Sequence, residues 1–558
     1  MKKLINDPRH AAREMLEGVV DLYPAMAMLG DENVVVALDA ADGVKVGLIS
    51  GGGSGHEPAH AGYIGTGMLS AAVVGDVFTS PSVDAVLAAI RHVGRQRGVL
   101  LIVKNYTGDR LNFGLAAEMA RAEGIAVEMV LVGDDVALRG LVPRERRRGI
   151  AGTVLVHKLA GAAADAGASL AEVAEIARQA AAQVRSMGVG LGLCTLPGAS
   201  APSETLADDE IELGLGIHGE KGVSRGKVQS ADALVDTVLG AILEDLAPVK
   251  GTPVALLVNG LGGTPPMELS IVLRCAVAKL RERGLPVVRA WAGNFMTALD
   301  MPGFSLSVLP VDERRLALLD RPTDAPAFPK ASPLSSRRAV VPGNKPADDH
   351  TRDSVTGPLS AVMRQVIDSV AKQLIAAEPT LTDLDTRAGD GDLGASMVRG
   401  AEAIRALPDT HFSTPHDLLL AMSGAIRRAI GGSSGPFYAT GLVRAAATLR
   451  GLDTPAEADW QHALSAGVAA ISELGGAKKG DRTMLDALIP ALEAWHAAEG
   501  AGFAAAVSAA KTGAEATAAM QPGLGRASYL GERAFGIPDG GAVAVSIWLG
   551  AIAEGLVR

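Results

Sequence analysis

Apolar residues fall into two regimes along this chain. In residues 1–330, short β-branched runs alternate with segments of helical period. The runs are VKVGLIS (44–50), GVLLIVKN (98–105), AVEMVLV (126–132), PVALLVN (253–259), PVVRAWA (286–292) and FSLSVL (304–309). Continuous apolar runs of this length, bounded by polar residues, predict buried strands. Ser82–Val93 and Leu111–Ala122 repeat their apolar residues every three to four positions and predict intervening helices. Such alternation predicts parallel α/β layers. The Ala-rich stretch 157–187 predicts one or two long helices, and a division of this half into two lobes is expected near 180–190.

The pattern breaks at RPTDAPAFPKASPLSSRRAVVPGNKPADDHTRDSVTGP, residues 321–358, which is rich in Pro, Ser and charge and predicts a linker. Beyond it the strand signal disappears. Residues 359–377, 393–407, 416–430, 440–449, 461–474, 483–498, 503–519 and 543–556 all read as helices, so 359–558 is expected to be all-α. No internal repeat relates the two halves.

Composition narrows the function. Of 558 residues, 48% are apolar and 20% charged, a globular balance. Glycine is abundant, 67 residues, and aromatics are scarce at 3%, which suits close backbone approach to small ligands better than base stacking. The net charge of −10 argues against nucleic acid as a partner. The basic run Arg144, Arg146, Arg147, Arg148 reads as a solvated face. Two cysteines, Cys194 and Cys275, make no disulfide framework and fit a reducing compartment. The first twenty residues lack an apolar signal core and no membrane span is read, so a cytoplasmic location is expected.

Three motifs in the first half carry chemistry. GGGSGHEP (51–58) follows a predicted strand; it lacks the Gly-Lys-Ser/Thr of a phosphate loop, and His56 stands where a nucleophile elbow would have its last Gly. Its glycines would let backbone N–H groups close on a polar ligand, and the bland alternative is a structural turn with a surface His. KNYTGDRLNFG (104–114) sits at the carboxyl end of another predicted strand, where open α/β sheets bind ligands. There Lys104 and Asp109 could reach a ligand, with Asp109 either a general base or a helix cap. ELGLGIHGEKG (212–222) frames His218 with Gly214, Gly216 and Gly219, leaving the imidazole accessible to a reagent.

In the second half, DLDTRAGDGDLGASM (383–397) matches G-x-G-x-x-G only formally, because no strand precedes it. Asp390 and Asp392 inside the loop would repel a bare pyrophosphate, and with Asp385 they make three carboxylates. Leading into a helix, they read as a hard-cation site, Mg2+, that holds polyphosphate oxygens, or else as solvated turn residues. GGSSGPFY (431–438), KKGDRTMLDA (478–487), GRASYLGER (525–533) and PDGGA (538–542) are Gly-rich loops that each open a helix, a natural anion site.

Taken together and in this order, these motifs resemble the dihydroxyacetone kinase family. The first three are similar to its substrate-binding K domain and the rest to its nucleotide-binding L domain. The resemblance implies a two-lobed α/β substrate domain over 1–330 and a linker over 321–358. An eight-helix barrel that holds ATP and Mg2+, as two ions, would follow over 359–558. It further implies that Gly53, Ser54, His56, Lys104 and Asp109 line a ketose pocket. His218 would attack the carbonyl to form a hemiaminal, while His56 and Asp109 would help deprotonate the accepting hydroxyl. Asp385, Asp390 and Asp392 would ligate the metal. Leu393, Gly394, Ala395, Ser396, Ser433, Ser434, Met484, Arg526 and Asp539 would contact the nucleotide. Glu204 and Lys221 depart from the family pattern, which has an apolar residue and a Pro at those two places. The expected activity is phosphorylation of dihydroxyacetone by ATP in a homodimer, without nucleic acid or membrane. The alternatives are a four-carbon ketose such as erythrulose, a lyase forming cyclic FMN from FAD, and a sugar-sensing regulator.

Overall fold

Two six-stranded sheets and their helices build the first part of the chain, and helices alone build the second. The computed structural model describes residues 3–94, 96–199, 206–330, 332–341, 356–498, 502–524, 526–529 and 531–557, with the side chains of Arg526, Tyr529 and Glu532 outside it. The departure at Glu204 therefore lies outside the described residues. Two units are formed, Met1–Val341 and Pro342–Arg558.

In the first unit the strands are β1 (Met26–Met28), β2 (Val34–Ala37), β3 (Gly47–Ser54), β4 (Ala71–Val77), β5 (Val99–Lys104) and β6 (Val127–Val132). They are ordered β1-β2-β4-β3-β5-β6. The four inner and distal strands β4, β3, β5 and β6 run parallel, and β1 and β2 add an antiparallel edge. The second sheet comprises β7 (Arg185–Gly190), β8 (Glu210–Leu213), β9 (Ser224–Lys227), β10 (Val254–Gly260), β11 (Val287–Gly293) and β12 (Gly303–Pro310), in the order β11-β10-β12-β7-β8-β9. Here the parallel expectation is corrected: only β10 and β11 are parallel, and every other pair is antiparallel. β12 follows β11 through a loop of nine residues with no helix, too short a return for a parallel crossover.

β3 and β5 are buried along their whole length, so their apolar runs have no polar alternation. The Ala-rich stretch forms two helices, Thr153–Asp165 and Leu170–Gln183, the second opened by a capping box from Ser169 and Glu172. The basic run is corrected as well. Arg147 pairs with Asp245 at 2.8 Å and Arg148 with Asp135 at 2.7 Å, both guanidinia largely buried, while Arg144 and Arg146 are exposed. Residues 321–330 do not stand off as linker. Ala325 and Phe328 are buried in the first core, and the Trp291 indole donates to Pro329 O at 2.9 Å.

The second unit is all-helical. Ser360–Ala376, Leu393–Arg405, Pro415–Ala429, Ser434–Thr448, Glu457–Gly475, Leu485–Ala497, Gly502–Ala516 and Gly540–Val557 each pack on the next, and the last returns to the first, closing an eight-membered ring. Among the described residues a further helix, Glu378–Ala388, packs on Leu393–Arg405 where a loop was expected. Gly540–Val557 is long and apolar enough to cross a membrane by composition alone. Ala544, Val545, Leu549 and Ala551 are instead buried in the cores on either side of it.

Candidate functional sites

The first site lies at the carboxyl ends of β3 and β5. Gly51 pairs with Val73 of β4, and a Cβ there would overlap the Val73 carbonyl oxygen and stand 3.0 Å from Phe113 Cζ. A Cβ at Gly53 would fall 2.5 Å from Thr79 N and 2.7 Å from Phe78 Cα. The glycines therefore serve first to let neighbouring backbone close on the strand, beyond any service to a ligand. Ser54 is buried with its hydroxyl unpartnered.

His56 is fully buried. Its Nδ1 lies 2.8 Å from Thr297 O on the loop after β11, and its ring stacks on Phe78. A carbonyl oxygen only accepts, so Nδ1 carries the proton and Nε2 presents a lone pair, for which no partner is found. Burial, with the nearby charge of Lys104, drives its pKa well below the ordinary histidine value, so the ring is neutral at pH 7. His218 lies in the loop between β8 and β9. It meets His56 edge-on at 4.8 Å between centroids and Tyr106 at 4.5 Å. Its Nδ1 is 3.2 Å from Glu220 Oε1, and its backbone N–H donates to Glu220 Oε2 at 2.9 Å. A carboxylate acceptor again places the proton on Nδ1 and leaves Nε2 with its lone pair.

Lys104 and Asp109 are nearby but occupied. The Lys104 ammonium is fully buried, donating to Gly51 O at 3.0 Å and to His60 Nε2 at 2.9 Å, with Asp109 Oδ2 at 4.0 Å. Burial lowers its pKa and the Asp109 carboxylate opposes that. Asp109 lies in the first turn of the helix Thr107–Ala122, whose N-cap is Tyr106, and its Oδ1 accepts from Ser80 Oγ at 2.5 Å. The structure thus gathers Gly53, Ser54, His56, Lys104, Asp109 and His218 at one place. Sequence reasoning missed His60, Ser80, Tyr106, Thr297 and above all Glu220. The signal for Glu220 was its place two residues after His218; Thr297, 241 residues from His56, left none.

In the helical unit, carboxylate oxygens of Asp385, Asp390 and Asp392 all lie within 4.8 Å of one another. Asp385 is on the helix Glu378–Ala388, and its Oδ2 accepts from Leu393 N at 3.1 Å. Asp392 is the N-cap of Leu393–Arg405, and Gly391 between Asp390 and Asp392 takes φ +79. Three converging carboxylate oxygen donors fit a hard divalent cation.

The nucleotide candidates group unevenly. Leu393 approaches Gly540, since a Cβ at that glycine would stand 2.6 Å from Leu393 Cδ2; Asp539 Oδ1 and Met484 Cβ flank Gly541. Asp539 caps the last helix through Ala542 N at 2.8 Å, and burial pushes its pKa up to about 6. Gly394 packs on Thr382, Ala395 follows in the same helical turn, and buried Ser396 accepts from Arg399 at 2.9 Å. Ser433 and Ser434 open the helix Ser434–Thr448 and touch none of these groups in the described contacts. Arg526 lies in the turn Arg526–Tyr529, its side chain outside the described part.

Residues 17–327 match the Dak1 domain family and residues 387–554 the DAK2 domain family. Human triokinase/FMN cyclase is 44% identical over 575 residues, spanning 99% of this chain and 99% of that protein. The D-erythrulose kinase of Mycolicibacterium smegmatis is 36% identical over 583 residues, spanning 99% of this chain and 98% of that one. A crystal structure of the dihydroxyacetone kinase of C. freundii in complex with AMP-PNP and Mg2+ superposes with a TM-score of 0.64 at 36% identity, covering 99% of each chain. Two matched domains and relatives of full length define an ATP-dependent kinase. The chain belongs to the dihydroxyacetone kinase family.

Proposed function

We propose that this chain transfers the γ-phosphoryl group of ATP to a hydroxyl of a short ketose, dihydroxyacetone, held as a hemiaminal on His218. The observation that carries this reading is the pair of facing imidazoles, each with Nδ1 anchored and Nε2 bearing a lone pair. One can attack a carbonyl carbon; the other can accept a hydroxyl proton. His56 is the base, poised neutral by burial, and Asp109 holds the substrate hydroxyl beside it. Gly53, Ser54 and Lys104 complete the pocket's polar lining. A hemiaminal needs a carbonyl, so this chemistry rejects glycerol more sharply than one missing hydrogen bond would.

Asp385, Asp390 and Asp392 would hold Mg2+, as two ions. Leu393, Gly394, Ala395, Ser396, Ser433, Ser434, Met484, Arg526 and Asp539 would surround the nucleotide. The bound cation spreads and offsets phosphoryl charge. The residues' remaining task is positioning, which dominates phosphoryl transfer. On this reading 1–330 is the ketose half, 359–558 the nucleotide half, and the enzyme is a cytoplasmic homodimer. Erythrulose is the second substrate, favoured by the erythrulose-kinase relative. A flavin-cyclising activity is favoured by the human relative's second name. A sensor would have no use for three converging carboxylates. The test is ADP release from ATP with C3 and C4 ketoses, aldoses and glycerol in turn, and AMP release from FAD without ketose. Ketose-dependent ADP is expected; ADP formation indifferent to ketose, or equal with glycerol, overturns the reading.

A further inference from the structure

Glycine flanks His218 at 214, 216 and 219, and the structure gives that spacing a second use. A Cβ at Gly216 would stand 2.5 Å from Glu220 Cδ and 2.8 Å from Arg148 Nη1. The missing side chain leaves the space that the Glu220 carboxylate and the Arg148 guanidinium occupy behind the imidazole. Arg148 is fixed by two anchors: Asp135, paired at 2.7 Å and almost fully buried, and Gly214 O, bonded at 2.7 Å. Glu220 is fixed by two bonds to His218 itself. The chain from Asp135 through Arg148 to the Gly214–Glu220 loop thus ends on the Nδ1 face of His218.

We propose that Glu220 is a positioning residue for His218, locking the Nδ1–H tautomer and accepting the Nδ1 proton when Nε2 adds to a carbonyl. This rests on the hemiaminal role assigned above. In the step, the Nε2 lone pair bonds to the carbonyl carbon and the C=O π pair moves to oxygen, which takes a proton from water. The Nδ1 proton passes to Glu220, and the hydroxide removes it, restoring the carboxylate and one water. The adduct is then neutral, with no cation left in the pocket. The Glu220 side chain is 35% exposed, enough for water to reach it. Burial works to raise the Glu220 pKa, but the hydrogen bonds it accepts from His218 hold it below the ordinary glutamate range, in the state that accepts a proton.

Two variants separate the two duties: Glu220→Met loses the acceptor and the charge, Glu220→Gln only the charge. Nitrogen-15 spectra of labelled histidine in the full chain, without ligand, report the His218 tautomer. Dihydroxyacetone labelled with carbon-13 at C2 reports the adduct, as the ketone resonance moves to the tetrahedral range. Glu220→Met is expected to give mixed tautomers. Glu220→Gln should keep the tautomer yet bind the ketose roughly tenfold to a hundredfold more weakly, the loss of one charge-assisted hydrogen bond. Nucleotide affinity should not move in either variant, and Glu220→Asp should recover part of the adduct. A parental tautomer in Glu220→Met, or a parental adduct affinity in Glu220→Gln, overturns the proposal. If the parent chain forms no tetrahedral C2 while Glu220→Met still mixes the tautomers, the covalent reading falls and the positioning role stands.

Discussion

Gly51→Ala tests whether the glycine strand is built for packing. The new methyl would overlap the Val73 carbonyl oxygen and stand 3.0 Å from both Val73 C and Phe113 Cζ. Neither neighbour is a flexible side-chain end: one is central-sheet backbone and the other a fully buried ring. Overpacking by one methyl costs about 1–3 kcal/mol. Pushing β3 from β4 also strains buried ladder hydrogen bonds, each costing about 1–3 kcal/mol when lost. Taking about 3 kcal/mol overall, and a urea dependence of about 3 kcal/mol per molar for a unit this large, the midpoint should fall by roughly 1 M. Gly114→Ala is the control. It lies inside the helix Thr107–Ala122 with nothing within 4 Å of its virtual Cβ. There the substitution should stabilise by about 0.5–1 kcal/mol. Urea unfolding followed by hydrogen-exchange mass spectrometry on β3 and β5 peptides reads this unit apart from the helical one, whose transition need not coincide. A Gly51→Ala midpoint equal to the parent's would refute the packing argument.

His56→Asn should lower kcat by about 10²–10⁴, the usual worth of a general base, with nucleotide affinity unchanged; steady-state kinetics with ATP and ketose checks it. Asp390→Asn should abolish turnover while leaving ketose capture intact, and parental turnover at limiting Mg2+ would remove the cation from the reading. Asp539 has a folded pKa of about 6, above its unfolded 3.8, so the folded state holds its proton longer and stability falls as pH rises from about 4 through 6. Asp539→Asn should erase that fall and gain about 1–2 kcal/mol at pH 7, allowing for its partial exposure; melting temperatures at pH 5 and 8 without nucleotide would decide. Borohydride added with ketose should leave Lys104 unmodified by peptide mass mapping, because its protons are engaged by Gly51 O and His60.

Much of the architecture was legible where burial is two-sided, because continuous runs such as 98–105 leave one interpretation. The direction of a strand was not legible. FSLSVL reads as a strand from its own residues, yet its antiparallel sense is decided by the loop before it and by partners as far away as Arg185, which pairs with Val308. Small-residue strands escaped: AAVVGDV at Ala71–Val77 has no bulky alternation to mark it. The helix Glu378–Ala388 escaped because Asp383 and Asp385 read as loop aspartates, while Pro379 in fact sits in its first turn, where a missing N–H costs nothing. Arg147 and Arg148 read as solvent-facing since a local run cannot reveal Asp245 and Asp135. For the candidate sites, residue type and motif singled out the imidazoles and carboxylates; tautomers and orienting partners depend on residues distant in the chain.

The proposed capture by an imidazole, with a buried lysine so close, has a geometric reason. Lys104 has its pKa lowered by burial, the condition under which lysines add to carbonyls. Its surroundings work against that use. Gly51 O and His60 Nε2 both accept from it and Asp109 lies 4.0 Å away, an arrangement that favours the ammonium and leaves no lone pair to attack. His218 is arranged in the opposite sense: its proton is held at the back by Glu220, and its lone pair is left on the other nitrogen. A lysine adduct would expel water and form an imine that must be hydrolysed before product leaves. An imidazole adduct retains every atom of the ketose and reverses by simple elimination, which suits a reaction whose chemistry occurs at a hydroxyl and not at the captured carbonyl.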